Sequence, residues 1–155
     1  MASTVTTATM TVTVSESIIL NGKNQGSTNT LSIPAIANVS KRIVNVPASE
    51  VEIVAMSTAV AAGTFVESTV KYIRITNLDD TNHVVLTFKS EGNHEFAVKL
   101  DKGQSFIYNG DVSGGVVDTM DASGSALSLA LEDLVNITAL ADTAACDLEV
   151  FVAST

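Results

Sequence analysis

The stretch KYIRITNLDD, residues 71 to 80, places an arginine inside an apolar run and follows it with an asparagine and two aspartates. Amides and carboxylates packed this closely suggest a cation site, with Asn77, Asp79, Asp80 and Asn82 as oxygen donors. A dedicated calcium loop takes its ligands at alternating positions, and this spacing does not supply them. Asn and Asp also bond to their own backbone in turns, so the run reads as a corner. Arg74 then becomes a candidate for an ion pair with a carboxylate of its own chain or of a neighbouring copy. Asp118 and Asp121 fall in a Gly- and Ser-rich stretch and take the same reading as turn residues.

The remaining reactive side chains are scattered. His83 and His94 lie outside any metal-ligand spacing, and neither has a catalytic partner nearby in sequence. Cys146 follows two alanines near the last strand and reads as a buried structural thiol. The Gly114-Gly115 pair lacks the lysine and the strand-loop-helix context of a phosphate loop. Sequons at Asn38 and Asn136 are short enough to arise by chance. The expectation is a protein that is not an enzyme, with no cofactor and no metal.

A chain of 155 residues is long enough to bury a core as one domain. Hydrophobic residues make up 46% of it and charged residues 16%, a balance that favours ordered packing. The formal net charge of -9 opposes binding to phosphate backbones and anionic lipid, so neither nucleic acid nor membrane is an expected partner. With Cys146 alone, no intrachain disulfide can form. The opening residues lack a basic start and a continuous apolar core, and the expectation is a product made inside the cell.

The elements that must position these residues show a period of two, rich in Val, Ile, Thr and Phe and broken by Gly, Asn and Asp. Met10, Val12 and Val14 alternate with Thr9, Thr11 and Thr13, giving residues 1–15 the character of an N-terminal arm or exchanged strand. An Asn21-Gly22 turn follows, then a polar loop leading to Pro34. KRIVNV, VEIVAM, VKYIRITN, HVVLTFK, EFAVKL, SFIYN and DLEVFVAS read as strands. Ile73 and Ile75, then Val84, Leu86 and Phe88, then Phe96, Val98 and Leu100, share inward faces. AVAAGTF permits a helical turn that Gly63 cuts short. Residues 109–126 read as a long exposed loop with raised mobility, and LSLALEDLVNITALAD as a short helical or turn-like entry followed by strand. The expected fold is all-β, a single antiparallel β-sandwich of eight to ten strands over residues 1–155, with at most one short helix. A jelly roll is among the candidate topologies, because strand order is set by long-range pairing.

The run VKYIRITNLDDTNHVVLTFKSEGNHEFAVKLDKGQSFIYNGD, with ITALADTAACDLEVFVAS at the end, resembles small virion structural proteins of tailed bacteriophages, especially those of marine and cyanobacterial hosts. The shared features are the strand and corner from Tyr72 to Asn77, Leu100 followed by a turn at Gly103, and a final strand rich in Glu and Val. The resemblance covers about half the chain. It implies a capsid decoration or cement protein, or else a component of the tail or its fibres. The major capsid protein or other virion proteins would be its partners, and the virion its location. A homo-oligomer is expected, a trimer being one form, with Thr9, Thr11, Thr13 and Arg74 as contact residues. A carbohydrate-binding sandwich is the alternative from another class, and it would need exposed aromatic rings.

Overall fold

The computed structural model describes residues 4–108, 116–117 and 131–155. These form two compact units, one within residues 1–38 and one spanning Val39–Ser154.

The first unit is a long two-stranded hairpin. Strand β1 (Ala8–Ser15) runs antiparallel to β4 (Thr28–Ile36), and the short β2 (Ile19–Leu20) and β3 (Lys23–Asn24) carry the ladder to its tip. Asn21 and Gly22 turn the chain there with φ of 50° and 75°, the left-handed pair of a type I′ turn. The polar loop expected after this turn is largely β4. Its threonines and serines alternate with Leu31 and Ile33, and β1 offers a ladder for that β-prone pattern. Pro34 sits inside β4 beside Ala35, whose φ is 61°, and the register gains one residue there. Such a bulge lets an edge strand carry a proline.

The second unit is a β-sandwich. Its principal strands are β5 (Asn38–Val46), β6 (Val51–Ser57), β8 (Val70–Asn77), β9 (Val84–Ser90), β10 (Glu95–Leu100), β11 (Ser105–Tyr108), β14 (Leu134–Ala141) and β15 (Cys146–Ser154). One sheet has the order β10-β9-β14-β6, with the short β7 (Phe65–Val66) added parallel to β6 at the edge. The other has the order β11-β8-β15-β5. The neighbours β9 with β10, β8 with β11, β6 with β14 and β5 with β15 are successive rungs of one long hairpin. Rolling that hairpin sets β9 beside β14 and β8 beside β15, which is the strand order of a jelly roll. A 3-10 turn at Glu67–Thr69 is the one helical element among the described residues.

Alternation decides which side chains fill the space between the sheets. Val84, Leu86 and Phe88 of β9 are fully buried, as are Ile73 and Ile75 of β8 and Leu148 and Val150 of β15. Phe88 stacks on Phe96 of the neighbouring strand at 4.7 Å between centroids. It also meets Phe106 at 5.0 Å and Tyr108 at 5.9 Å, both from the opposite sheet. One ring therefore joins three strands and both layers.

Helical spacing at Leu131 and Leu134 is not realised: Leu131 lies in β13 (Leu131–Glu132) and Leu134 opens β14. β13 pairs with β12 (Val116–Val117). Leu134 is completely buried and β14 is a central strand, so pairing on both sides overrode the local helical pattern. Within the expected loop of residues 109–126, Val116–Val117 form a short strand instead; the rest of it, with Asp118, Asp121 and the Gly114-Gly115 pair, and Leu127 beyond it, lie outside the described residues.

Candidate functional site

The corner at the end of β8 is built by its own side chains. Asn77 is completely buried, and its Nδ2 donates to the carbonyls of Asn82 at 3.0 Å and Leu100 at 3.2 Å. Its Oδ1 accepts the Asp79 N–H at 3.0 Å. Asp79 in turn accepts the N–H groups of Thr81 and Asn82, at 2.7 and 2.6 Å. Those two backbone donors hold the Asp79 carboxyl below its ordinary pKa. The Asn77 and Asp79 oxygens that suggested a cation site are thus engaged in closing a turn, while Asp80 Oδ1 accepts the Thr81 hydroxyl and Asn82 Oδ1 that of Thr143. Among the described residues no cluster of His, Cys, Asp or Glu is placed to hold a metal.

Arg74 lies on the outward face of the four-stranded sheet and is 28% exposed in its side chain. It reaches Glu149 Oε1 on the adjacent β15 at 2.5 Å and also donates to Thr76 Oγ1. Its guanidinium lies 5.9 Å from the Phe151 ring centroid. Lys41 meets the other Glu149 oxygen at 3.0 Å. The Arg74 hydrogen bond, followed by that of Lys41, pulls the Glu149 carboxyl below the usual glutamate range. The partner of Arg74 is therefore a carboxylate of its own chain. Arg74→Ala is expected to lower the melting temperature modestly, as loss of a half-exposed ion pair and a cation–π contact does. An unchanged melting curve for Arg74→Ala would remove any structural role for the pair.

Thr9, Thr11 and Thr13 are exposed on β1, while Met10 and Val12 between them are half-buried. The three threonines lie on one face of the hairpin, and Arg74 belongs to the other unit.

Sequence reasoning missed a cluster at the β9–β10 turn. His94 Nδ1 lies 2.9 Å from Glu132 Oε2, and the Ser90 hydroxyl donates to the same oxygen. The His94 backbone N–H donates to Ser90 Oγ at 3.1 Å. A Cβ on Gly92 would meet the Glu132 carboxylate, so a larger residue there would push that side chain away from Ser90 and His94. Serine, histidine and glutamate together resemble a nucleophilic set, but the order is wrong. Glu132 stands between the other two, and the hydroxyl proton is committed to the carboxylate instead of the imidazole. The cluster fastens the turn to β13. No local signal points to it, because Glu132 lies 38 residues from His94.

Beside it is a cavity of about 260 Å³ lined by Lys89, Ser90, Asn93, His94, Glu95, Val135 and Asn136. Its charged and amide groups are mostly engaged: Lys89 with Glu50 at 2.8 Å, and Asn136 Nδ2 with Glu52 at 3.1 Å. Asn136 Oδ1 is buried without a partner among the described residues. The cavity can accept a small polar group but holds no activated nucleophile. Cys146 is fully buried, and burial, reinforced by Asp79, pushes its thiol pKa up, away from the reactive thiolate.

Five carboxylates, Glu50, Asp79, Asp101, Glu132 and Glu149, share one pH consequence. Each has a folded-state pKa depressed by hydrogen bonds, with Ser90 and then His94 acting on Glu132. Their stabilisation is fully present above the unfolded values and is lost as pH falls through the folded ones. Glu67 works in the opposite direction, its pKa raised by burial and by Asp133 and Glu91. The melting temperature is expected to fall progressively below about pH 4.3. Circular dichroism melts from pH 7 to pH 2.5 check this. No decline below that point would show that these bonds do not differ between the folded and unfolded chain.

No protein-family model matches the chain, and no curated protein is significantly similar to it.

Proposed function

We propose that the chain is a non-enzymatic virion structural protein of a tailed bacteriophage, bound to the outer capsid surface as a decoration or cement protein. The observation that carries this reading is the pairing of two kinds of surface. The sandwich holds nearly all the charge: of seventeen acidic and eight basic residues, only Glu16 and Lys23 fall within residues 1–38. The hairpin is neutral and leaves Val5, Val14, Ile18, Ile19, Leu20 and Leu31 exposed. Large apolar side chains gathered on a two-stranded element mark a contact surface, because such a hairpin is marginal alone. Jelly rolls also build capsid and lectin domains, so the fold agrees with the reading without deciding it.

Sugar binding is less well supported. All five Phe and both Tyr are buried or half-buried, and four of the seven rings pack together around Phe88. None is an exposed platform for stacking a sugar.

Immunogold labelling of particles from the source material, with an antibody raised to the full chain, tests the proposal. Label spread over the heads is the expected result. Label confined to tails would replace decoration by a tail or fibre role, and unlabelled particles would overturn the virion reading.

A further inference from the structure

We infer that the free edge of β1 pairs antiparallel with β1 of a second copy of this chain, across a two-fold axis. This deepens the proposed role by naming the first partner, and it rests on reading the chain as an assembly protein.

The two edges of the hairpin differ. β4 carries Pro34, which lacks a backbone donor, and Ala35 at positive φ in a bulge. These are devices that spoil an edge for further pairing. β1, with the sequence ATMTVTVS, has no proline, glycine or charge over its length. From Met10 to Ser15 it presents about 20 Å of regularly paired strand and the β-branched composition that favours sheet. Among the described residues no strand other than β4 pairs with it.

Charge selects the occupant. The neutrality of residues 1–38 lets two hairpins approach without repulsion, whereas the net negative sandwich of one copy opposes that of another. A second hairpin also supplies what the first lacks: two more strands, giving the order β4-β1-β1-β4 and exceeding the three strands needed for independent stability.

The edge asymmetry further chooses the symmetry. A ring of three would pair β1 of one copy with β4 of the next, against the bulge and the proline. Pairing β1 with itself is self-complementary and closes at two copies. The inference is therefore a dimer through the hairpin, in place of a trimer.

Sedimentation velocity of the full chain over a range of concentrations reads the state directly. Thr11 is exposed, so a charge there leaves the hairpin itself intact. Thr11→Glu and Thr11→Lys, each bringing like charges close together across the axis, are each expected to weaken the dimer about fivefold. Mixing the two variants in equal amounts is expected to restore it as a heterodimer, a result that an unfolded chain does not give. Independently, cysteine placed in turn at Thr9, Thr11 and Thr13 should yield a disulfide-linked dimer on mild oxidation at one position or more. Ser32→Cys, on β4, should not.

A wild-type monomer, a wild-type trimer, a dimer indifferent to both charges, or a mixture without recovery would each overturn the inference. Labelled heads together with a monomeric chain would sink this inference and leave the decoration role standing. A β1 dimer that labels no particle would do the reverse.

Discussion

Phe88→Ala is expected to lower the stability of the sandwich by about 3–5 kcal/mol, the range for removing a fully buried phenylalanine. The site cannot collapse easily around the loss. Phe96 stacks on the ring within its own sheet, and Phe106 and Tyr108 approach it from the other. β11 has four described residues and stands at the edge of its sheet among them, so it depends on these contacts more than a central strand does. Urea unfolding followed by circular dichroism measures the change, and Phe88→Leu, which retains most of the volume, should recover part of it. A loss below about 1 kcal/mol for Phe88→Ala would mean that the aromatic group is not what holds the layers together.

Asn77→Ala should cost about 2–3 kcal/mol, although the side chain is small and apolar packing changes little. The cost arises from the groups left behind. The Leu100 carbonyl at the end of β10 and the Asn82 carbonyl both lose a donor, and the Asp79 N–H loses its acceptor. A buried polar group stripped of its partner bears its full desolvation penalty. Asn77→Asp keeps an acceptor for Asp79 but turns a carboxylate towards two carbonyls, and should be worse than Ala at neutral pH. If Asn77→Ala unfolds at the same urea concentration as the wild type, the corner is held by backbone bonds alone. Those include the Asn77 N–H to Gln104, the Gly103 N–H to Asn77 and the Leu78 N–H to Asp147, at 2.9, 3.0 and 2.9 Å.

These predictions concern residues of unequal legibility. The burial of Phe88 follows from HVVLTFK, because alternate positions of a strand must face alternate sides. Asn77 was readable as a turn residue, but not as the bolt joining that turn to β10, since Leu100 lies 23 residues away. Arg74 was readable as outward-facing and in need of a carboxylate. Which carboxylate, Glu149 on the last strand, depended on β15 lying beside β8. The cluster of Ser90, His94 and Glu132 was not readable at all, because only the fold brings its ends together.

Sequence by itself determined the all-β class, the inward faces of the sandwich strands and the Asn21-Gly22 turn. These are local properties, set by side-chain periodicity and by which residues tolerate a turn. The strand read at Val135, Ile137 and Ala139 is β14, but only the tertiary structure decided that Leu131 and Leu134, whose spacing suggested a helical entry, are strand as well, and that β4 occupies a stretch rich in loop-forming residues. It alone decided that eight strands close as a rolled hairpin and that the first 38 residues form a unit of their own. In each case the deciding energy lies in pairing and burial between segments far apart in the chain, where a strand's partner outweighs its own propensity.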